Sequence, residues 1–543
     1  MDGNGTIISN KGNITVVDEK SIGIELQGND TTFINMGDIS ANNGSAEKNA
    51  TGVKIAGDNA SFMNVGDISA SNAGTGVNVT GDSNKVTLDG QLTMIVDSEL
   101  AGRGYAQEDG SQESINGLVV NGDNNLIELN GGIRFIGEEG ALDDGEAIAS
   151  ARNGQGNTPV INVSGDSSIY LNGDSVISGA FPLGYSDIIQ VSDGAFLKIG
   201  DDASFTMKDI DVYNHYYIET RAIIKAETGS QIVNDGDVNI QNITFIEAEG
   251  KDSTAINNGN IELLQYDYSS ATSASPEPGG AALQSIAGAT VTNNSAITGK
   301  VMQQSSVYNM KDATATTYNT NPNNQVVSLV GMEAMENSLA FNAENGLIEM
   351  YGRGTVGMAV MDNSTAQNAG DITIDTLWVD DNDTTTLRDD IHGDAARNYG
   401  AGMTAGTDDF DGPRKNATAI NNESGTITVY NAGAGMIAFG KENTVINQGT
   451  INLEKNDNYD NSLGDNILVG MAVYHNGTAI NDKTGVININ AEIGHAFYND
   501  GTGTIINYGT ICTFAVCLIG EEYNKTDVMT PFVYSGGDVL TDV

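Results

Sequence analysis

The segment Arg388-Asp389-Asp390-Ile391-His392-Gly393-Asp394 places carboxylates, an imidazole and a guanidinium within seven residues. Such groups cleave acidic polysaccharides when a fold fixes them facing one another. Here they lie in one polar stretch, and no Asn-Thr-Asp strand or Arg-x-Lys partner accompanies them. The remaining histidines, His215, His475 and His495, are scattered, and no H-E-x-x-H, G-x-S-x-G or phosphate-binding loop occurs. The acidic runs Asp380–Asp383 and Asp408-Asp409-Phe410-Asp411-Gly412 lack the spacing of a calcium loop. The expectation is therefore no enzyme: no catalytic residue, no metal and no cofactor.

A second chemistry needs only exposed side chains. Sugars are held by aromatic rings against their apolar faces and by polar groups at their hydroxyls. Aromatic, basic and acidic residues gather at Arg103 and Tyr105, along Lys208, Asp209, Asp211, Tyr213 and His215, and at Tyr266 and Tyr268. They gather again around Trp378, the sole tryptophan, with Arg388, Arg397 and Arg414. These residues are the candidate ligand-binding set, with the basic ones placed to meet sulfate or carboxylate.

The elements that must position them are repetitive. Asn-x-Gly followed by a short strand recurs as NKGNITV from Asn10, NMGDISA from Asn35, NVGDISA from Asn64, NDGDVNI from Asn234, NAGDITI from Asn368 and NQGTINL from Asn447. A strand closed by Gly-Asp recurs as GIELQGND from Gly23, GVKIAGDN from Gly52 and GVNVTGDS from Gly76. Joined, one unit reads as three short strands in about 20–29 residues, the period of a β-helix coil. Alternation turns Val53 and Ile55 inward and Lys54 outward, and likewise Val77 and Val79 against Asn78. Gly and Asn suit the sharp corners, and stacked Asn side chains can form ladders between coils. The fold class expected is all-β: a right-handed parallel β-helix, three strands per coil, with long insertions.

Insertions break the repeat at 96–115, 137–159, 266–284 and 376–415. Loops on a rigid scaffold are where binding usually resides. The organisation expected is a single β-helix over 1–543, insertion-rich with a candidate groove over 96–415, regular over 416–510, and closed by a coil or cap over 511–543.

The chain carries 72 acidic against 24 basic residues, a formal net charge of -48. Such a chain repels nucleic acid and anionic lipid at long range. No apolar run of about 18 residues could span a membrane. The two cysteines, Cys512 and Cys517, can form one short-loop bridge if the intervening residues turn a corner, or can pack as buried thiols.

The Asn-x-Gly-x-Ile and Gly-Ile/Val-x-Val/Ile-x-Gly-Asp phrases together resemble the passenger domain of AIDA-type bacterial autotransporter adhesins. The resemblance implies display on the bacterial cell surface through an outer-membrane barrel not present in this sequence. It implies binding to host glycosaminoglycans or other glycans, or to fibronectin or other matrix proteins. Two alternatives stand beside it: self-association of rods, driving aggregation and biofilm, and a polysaccharide lyase or hydrolase on the same fold.

Overall fold

The computed structural model describes residues 4–17, 20–42, 50–71, 74–96, 116–137, 159–179, 187–210, 222–241, 243–266, 280–302, 329–352, 354–376, 400–406, 415–455, 468–491, 494–513 and 516–519. Among them there is no helix. The strands succeed one another through three parallel sheets, so each coil contributes one strand to the first, second and third sheet in turn. This is a parallel β-helix with three strands per coil. The described residues group into two compact units, 1–259 and 260–543.

In the first unit the coils stack residue on residue. Val53 pairs with Val77, and Ile55 with Val79, in the third sheet. All four are fully buried, whereas Lys54 and Asn78 stand on the outer side. The register read from the alternation is therefore the register observed. Phe33 and Phe62 stack at 6.1 Å inside the first sheet, in register along their strands.

The Asn of each Asn-x-Gly phrase points into the core at the corner between the first and second sheets. Asn35 donates from Nδ2 to the Oδ1 of Asn64 at 2.7 Å and to the carbonyl of Gly37 at 2.5 Å. Both donors of one amide are thus used. The ladder then stops: the next four coils carry Leu88, Leu129, Leu171 and Ile199 at the same register position. It resumes at Asn234, which donates to Asn257 at 2.8 Å. The Oδ1 of Asn234 faces the Ile199 coil and has no hydrogen-bond partner. Such a buried orphan costs ~1–3 kcal/mol, so ladder residues are best exchanged in blocks.

The second unit repeats the plan without interruption. Asn293, Asn342, Asn368, Asn421, Asn447, Asn481 and Asn507 form one chain of amide hydrogen bonds, each 2.8–2.9 Å. At one register position of its third-sheet strands stand Gly331, Gly357, Gly402, Gly435 and Gly470. A Cβ there would come within 2.6 Å of the carbonyl oxygen of the next coil, so only glycine lets the strands approach.

One expected boundary is corrected. The stretch 376–415 is not a single insertion, because Gly400–Ala405 is a fully buried third-sheet strand between Thr355–Val360 and Gly433–Phe439. Its sequence, GAGMTA, lacks the Val/Ile alternation that marks other strands, yet Met403 stacks on Met358 and Met436. Likewise Ala281–Ile286 is strand, so the insertion read as 266–284 ends before it. Cys512 and Cys517 are joined by a disulfide. They do so across an antiparallel pair, Thr510–Thr513 with Val516–Ile519, rather than at a coil corner.

Leu at position 421 would fit sterically, as Leu129 does in the first unit, but would strip Asn368 of an acceptor and Asn447 of a donor. Asn421→Leu is expected to lower unfolding stability in urea by roughly 2–5 kcal/mol; an unchanged midpoint would contradict the ladder's role. Thiol titration of the unreduced, denatured chain is expected to detect no free thiol, and two would contradict the bridge.

Candidate functional site

The three corners of a coil differ in how much chain they admit. Connections from first to second sheet contain two to four residues wherever both flanking strands lie in one unit. Connections from third to first sheet contain three to five, with the single exception of 406–417. Connections from second to third sheet range from two residues, as at 431–432, to the long segments 97–115, 138–160, 303–329 and 376–399.

The two short corners are sewn from coil to coil. At the first corner the amide ladder lies inside, and outside it Asp67 N donates to Asp38 Oδ1 at 3.0 Å and Gln91 N to Asp67 Oδ1 at 2.8 Å. At the third corner Ala60 N donates to Asn84 Oδ1, Asn84 N to Asn125 Oδ1 and Asn125 N to Ser167 Oγ, at 2.7–3.1 Å. The Gly-Asp turns add Asp82 N to Asp58 and Asp123 N to Asp82, both 2.9 Å. The carboxylates of Asp38, Asp58, Asp67 and Asp82 are thus structural, each accepting a backbone N–H of the neighbouring coil.

The side chains of the candidate ligand-binding residues lie outside the described residues. The connections that hold them are fixed by the flanking strands. Arg103 and Tyr105 follow the second-sheet strand Leu92–Val96 and precede the third-sheet strand Asn116–Asn121. Lys208 and Asp209 lie within Ser204–Ile210, a second-sheet strand, and Asp211, Tyr213 and His215 follow it. Tyr266 ends the second-sheet strand Ile261–Tyr266, and Tyr268 follows. Trp378, Arg388 and Arg397 fall between Asp371–Asp375 and Gly400–Ala405, again second to third sheet. Arg414 alone departs, in the connection from third to first sheet. Two further long connections at the same second corner, 303–329 and 455–467, are absent from the sequence-based set of insertions; the latter interrupts the stretch read as regular over 416–510.

Beside this corner the outer face of the third sheet carries a charge cluster that sequence reading missed. In the first unit Lys225 pairs in register with Glu247, and Glu227 with Glu249. The Lys225 ammonium contacts Glu227 at 2.7 Å, Glu247 at 3.3 Å and also Glu249, with its side chain 1% exposed. Burial opposes its charge, but hydrogen bonds to Glu227 and Glu249 and the charges of Glu247 and Asp187 outweigh that and hold its pKa above the usual lysine value. Burial pushes Glu247 up to about 7, because one ammonium shared among several carboxylates does not fully offset desolvation. So enclosed, Lys225 is closed to a dissolved anion. The available signal was the offset match of AIIKAE with TFIEAE, which aligns Lys225 with Glu247 once coils are stacked.

In the second unit the later strands of the same face are mostly apolar on their outer side. Ala401, Ala434 and Val469 align in one column and Ile437 and Ala472 in the next, all buried. Phe439 stacks on Tyr474 at 5.3 Å, and Tyr498 packs tilted against Tyr474 at 5.3 Å. Of these three rings only Tyr498 is part-exposed. The stack is therefore chiefly a second core outside the sheet. Among the described residues no group of three His, Cys, Asp or Glu is arranged to hold a metal ion.

A three-sheet parallel solenoid is the architecture of pectate lyase-like domains. Residues 187–485 match the family described as the BigA third pectate lyase-like domain, and the chain belongs to that family. It is 32% identical over 426 residues to BigA of Salmonella typhimurium, provisionally named a surface-exposed virulence protein. The match covers 77% of this chain and 20% of that protein, so the chain spans about a fifth of its relative's length. No solved structure matches.

Lys225→Met is expected to cost about 3–5 kcal/mol, since it leaves the buried Glu247 carboxylate without its ammonium partner. Glu247 has a folded pKa of about 7 against an ordinary 4.5. The folded state therefore holds this proton more tightly, and the group's effect is to lower stability as pH rises from about 4.5 to about 7. Glu247→Gln is expected to stabilise the chain more at pH 8 than at pH 4.5 in urea unfolding; the opposite order would contradict the assignment.

Proposed function

We propose that this chain is a β-helical region of a bacterial cell-surface adhesin, exported in the manner of AIDA-type autotransporters and anchored by an outer-membrane barrel outside this sequence. In this reading it works by binding and not by catalysis. Its ligands are host extracellular-matrix components: glycans such as glycosaminoglycans, and matrix proteins such as fibronectin. The observation that supports this best is the gathering of long connections at the second corner in each unit. A solenoid that spends its extra residues on one side presents them together, as a recognition surface requires.

Membership of the BigA family and the surface-exposed virulence role in that relative's name favour the outside of a cell as the place of action. The sparse cysteines suit export. Basic and aromatic residues in the second-corner connections and at the strand ends that lead into them, among them Lys208, Tyr213, Tyr266, Trp378 and Arg388, supply contacts for acidic sugars that the rest of so acidic a chain would repel. Weak single contacts gain from many displayed copies.

The test is binding of the purified chain to immobilised sulfated glycans and fibronectin, beside a polysaccharide-cleavage assay. A variant with Lys208, Asp211, Tyr213, Tyr266 and Arg388 changed to Ala is expected to keep the wild-type melting curve and lose at least about tenfold in affinity. Added salt is expected to weaken binding to sulfated glycan. Binding undiminished in that variant, or turnover of polysaccharide by the wild type, would contradict the proposal.

A further inference from the structure

The first sheet of the second unit has a surface unlike the other faces among the described residues. Its seven strands, from Thr290–Asn293 to Thr504–Asn507, run parallel in continuous register. In each, the first and third residues point outward and are part-exposed. None of these outward positions is charged. Toward the end of the unit they settle into two columns, Thr418, Thr444 and Thr478 beside Ile420, Ile446 and Ile480, with Thr and Ile again in the strand after.

The contrast with other faces is sharp. The same sheet in the first unit bears the ion pairs Lys85–Glu128 at 3.0 Å and Lys198–Asp235 at 2.5 Å. The second sheet of the second unit bears Lys300–Glu262 at 2.7 Å, with Glu349 and Glu454 also on its strands. The third sheet's outer face there is largely buried. One solvent-facing sheet thus lacks charge in a chain of formal net charge -48.

We infer that this face is where two copies of the chain meet. Two bodies of like charge repel wherever acidic residues face each other, and a sheet face without charge is where they can approach at least cost. Flat columns of β-branched side chains about 4.8 Å apart offer ridges and grooves that interdigitate with an identical face. A two-fold axis through the face sets Ile columns against their counterparts in an isologous contact. The face measures about 30 Å by 13 Å, roughly 400 Å² per partner, against about 800 Å² in a stable complex. The pairing is therefore weak between free molecules and gains force between surfaces that display many copies. It uses a different sheet from the two that the second-corner connections join.

Sedimentation velocity of the whole chain over a concentration series tests the inference. The expected result is a concentration-dependent dimer that strengthens on raising NaCl from 0.15 to 0.5 M (about 8 to 4 Å screening length) as repulsion is screened. Ile446→Glu with Ile480→Glu is expected to leave the chain monomeric with wild-type circular dichroism. Thr444→Glu, a milder change at the same face, is expected to weaken the dimer. Ser61→Glu, on the first sheet of the first unit, is expected to leave it intact. A monomer at every concentration and salt, or a dimer indifferent to Thr444→Glu and to the Ile pair, would overturn the inference.

Discussion

Each coil of this protein must close on itself before the next is laid against it at the strand spacing of about 4.8 Å. Every backbone donor and acceptor in a strand is matched to the coils on either side, so a surplus residue inside a sheet would shift every later side chain to the wrong face. Surplus chain leaves at corners, apart from a one-residue register shift where Ser175–Gly179 pairs with Ser204–Ile210. Two corners are committed, the first by the buried amide ladder and the third by side chains that accept backbone N–H groups from the adjoining coil. The second corner is where the long connections between described strands fall.

The ladder shows how a polar column can live in a dry core. An isolated buried amide is costly, but a row in which each Nδ2 serves the next Oδ1 and a glycine carbonyl leaves nothing unpaired except at its ends. The ends are where the cost falls, as the unpartnered Oδ1 of Asn234 shows. The first unit's switch to Leu88, Leu129, Leu171 and Ile199 therefore occurs as a block. Elsewhere on the scaffold the same in-register stacking brings like groups together. It lines up the glycines that let third-sheet strands close, and it sets Lys225 beside carboxylates supplied from a neighbouring coil as well as its own.

Much of this was legible in the order of residues. The three-strand period, the inward Val and Ile, the Asn-x-Gly corners and the outward Lys54 follow from alternation and turn chemistry, which are local. Gly400–Ala405 was not legible, because its Gly-rich composition reads as loop and only the stacked Met column reveals it. The connection at 303–329 escaped notice because its mixed polar composition resembles the turns around it. The Lys225 cluster was hidden for a different reason: its members lie on strands separated in sequence by one strand of each other sheet, and the register that joins them exists only after stacking. The candidate ligand residues were chosen by type alone. That Arg103, Tyr213, Tyr268 and Trp378 belong to connections at one corner follows from strand order, whereas Arg414 belongs to another.

The account thus rests on an inequality between corners: the second takes up added chain repeatedly, the third only once, at 406–417, and the first not at all among strands of one unit. Its most direct test places the same twelve-residue Gly/Ser segment, about one ordinary long loop, at each kind of corner within the second unit. One insertion follows Arg353 in the short second-to-third connection, and the other follows Gln448 in the first-to-second connection beside the ladder residue Asn447. Urea unfolding of the two chains is expected to leave the first within about 1 kcal/mol of wild type and to destabilise the second by several times that. Equal losses, or a greater loss at Arg353, would contradict the claim that the fold reserves one corner for its variable segments.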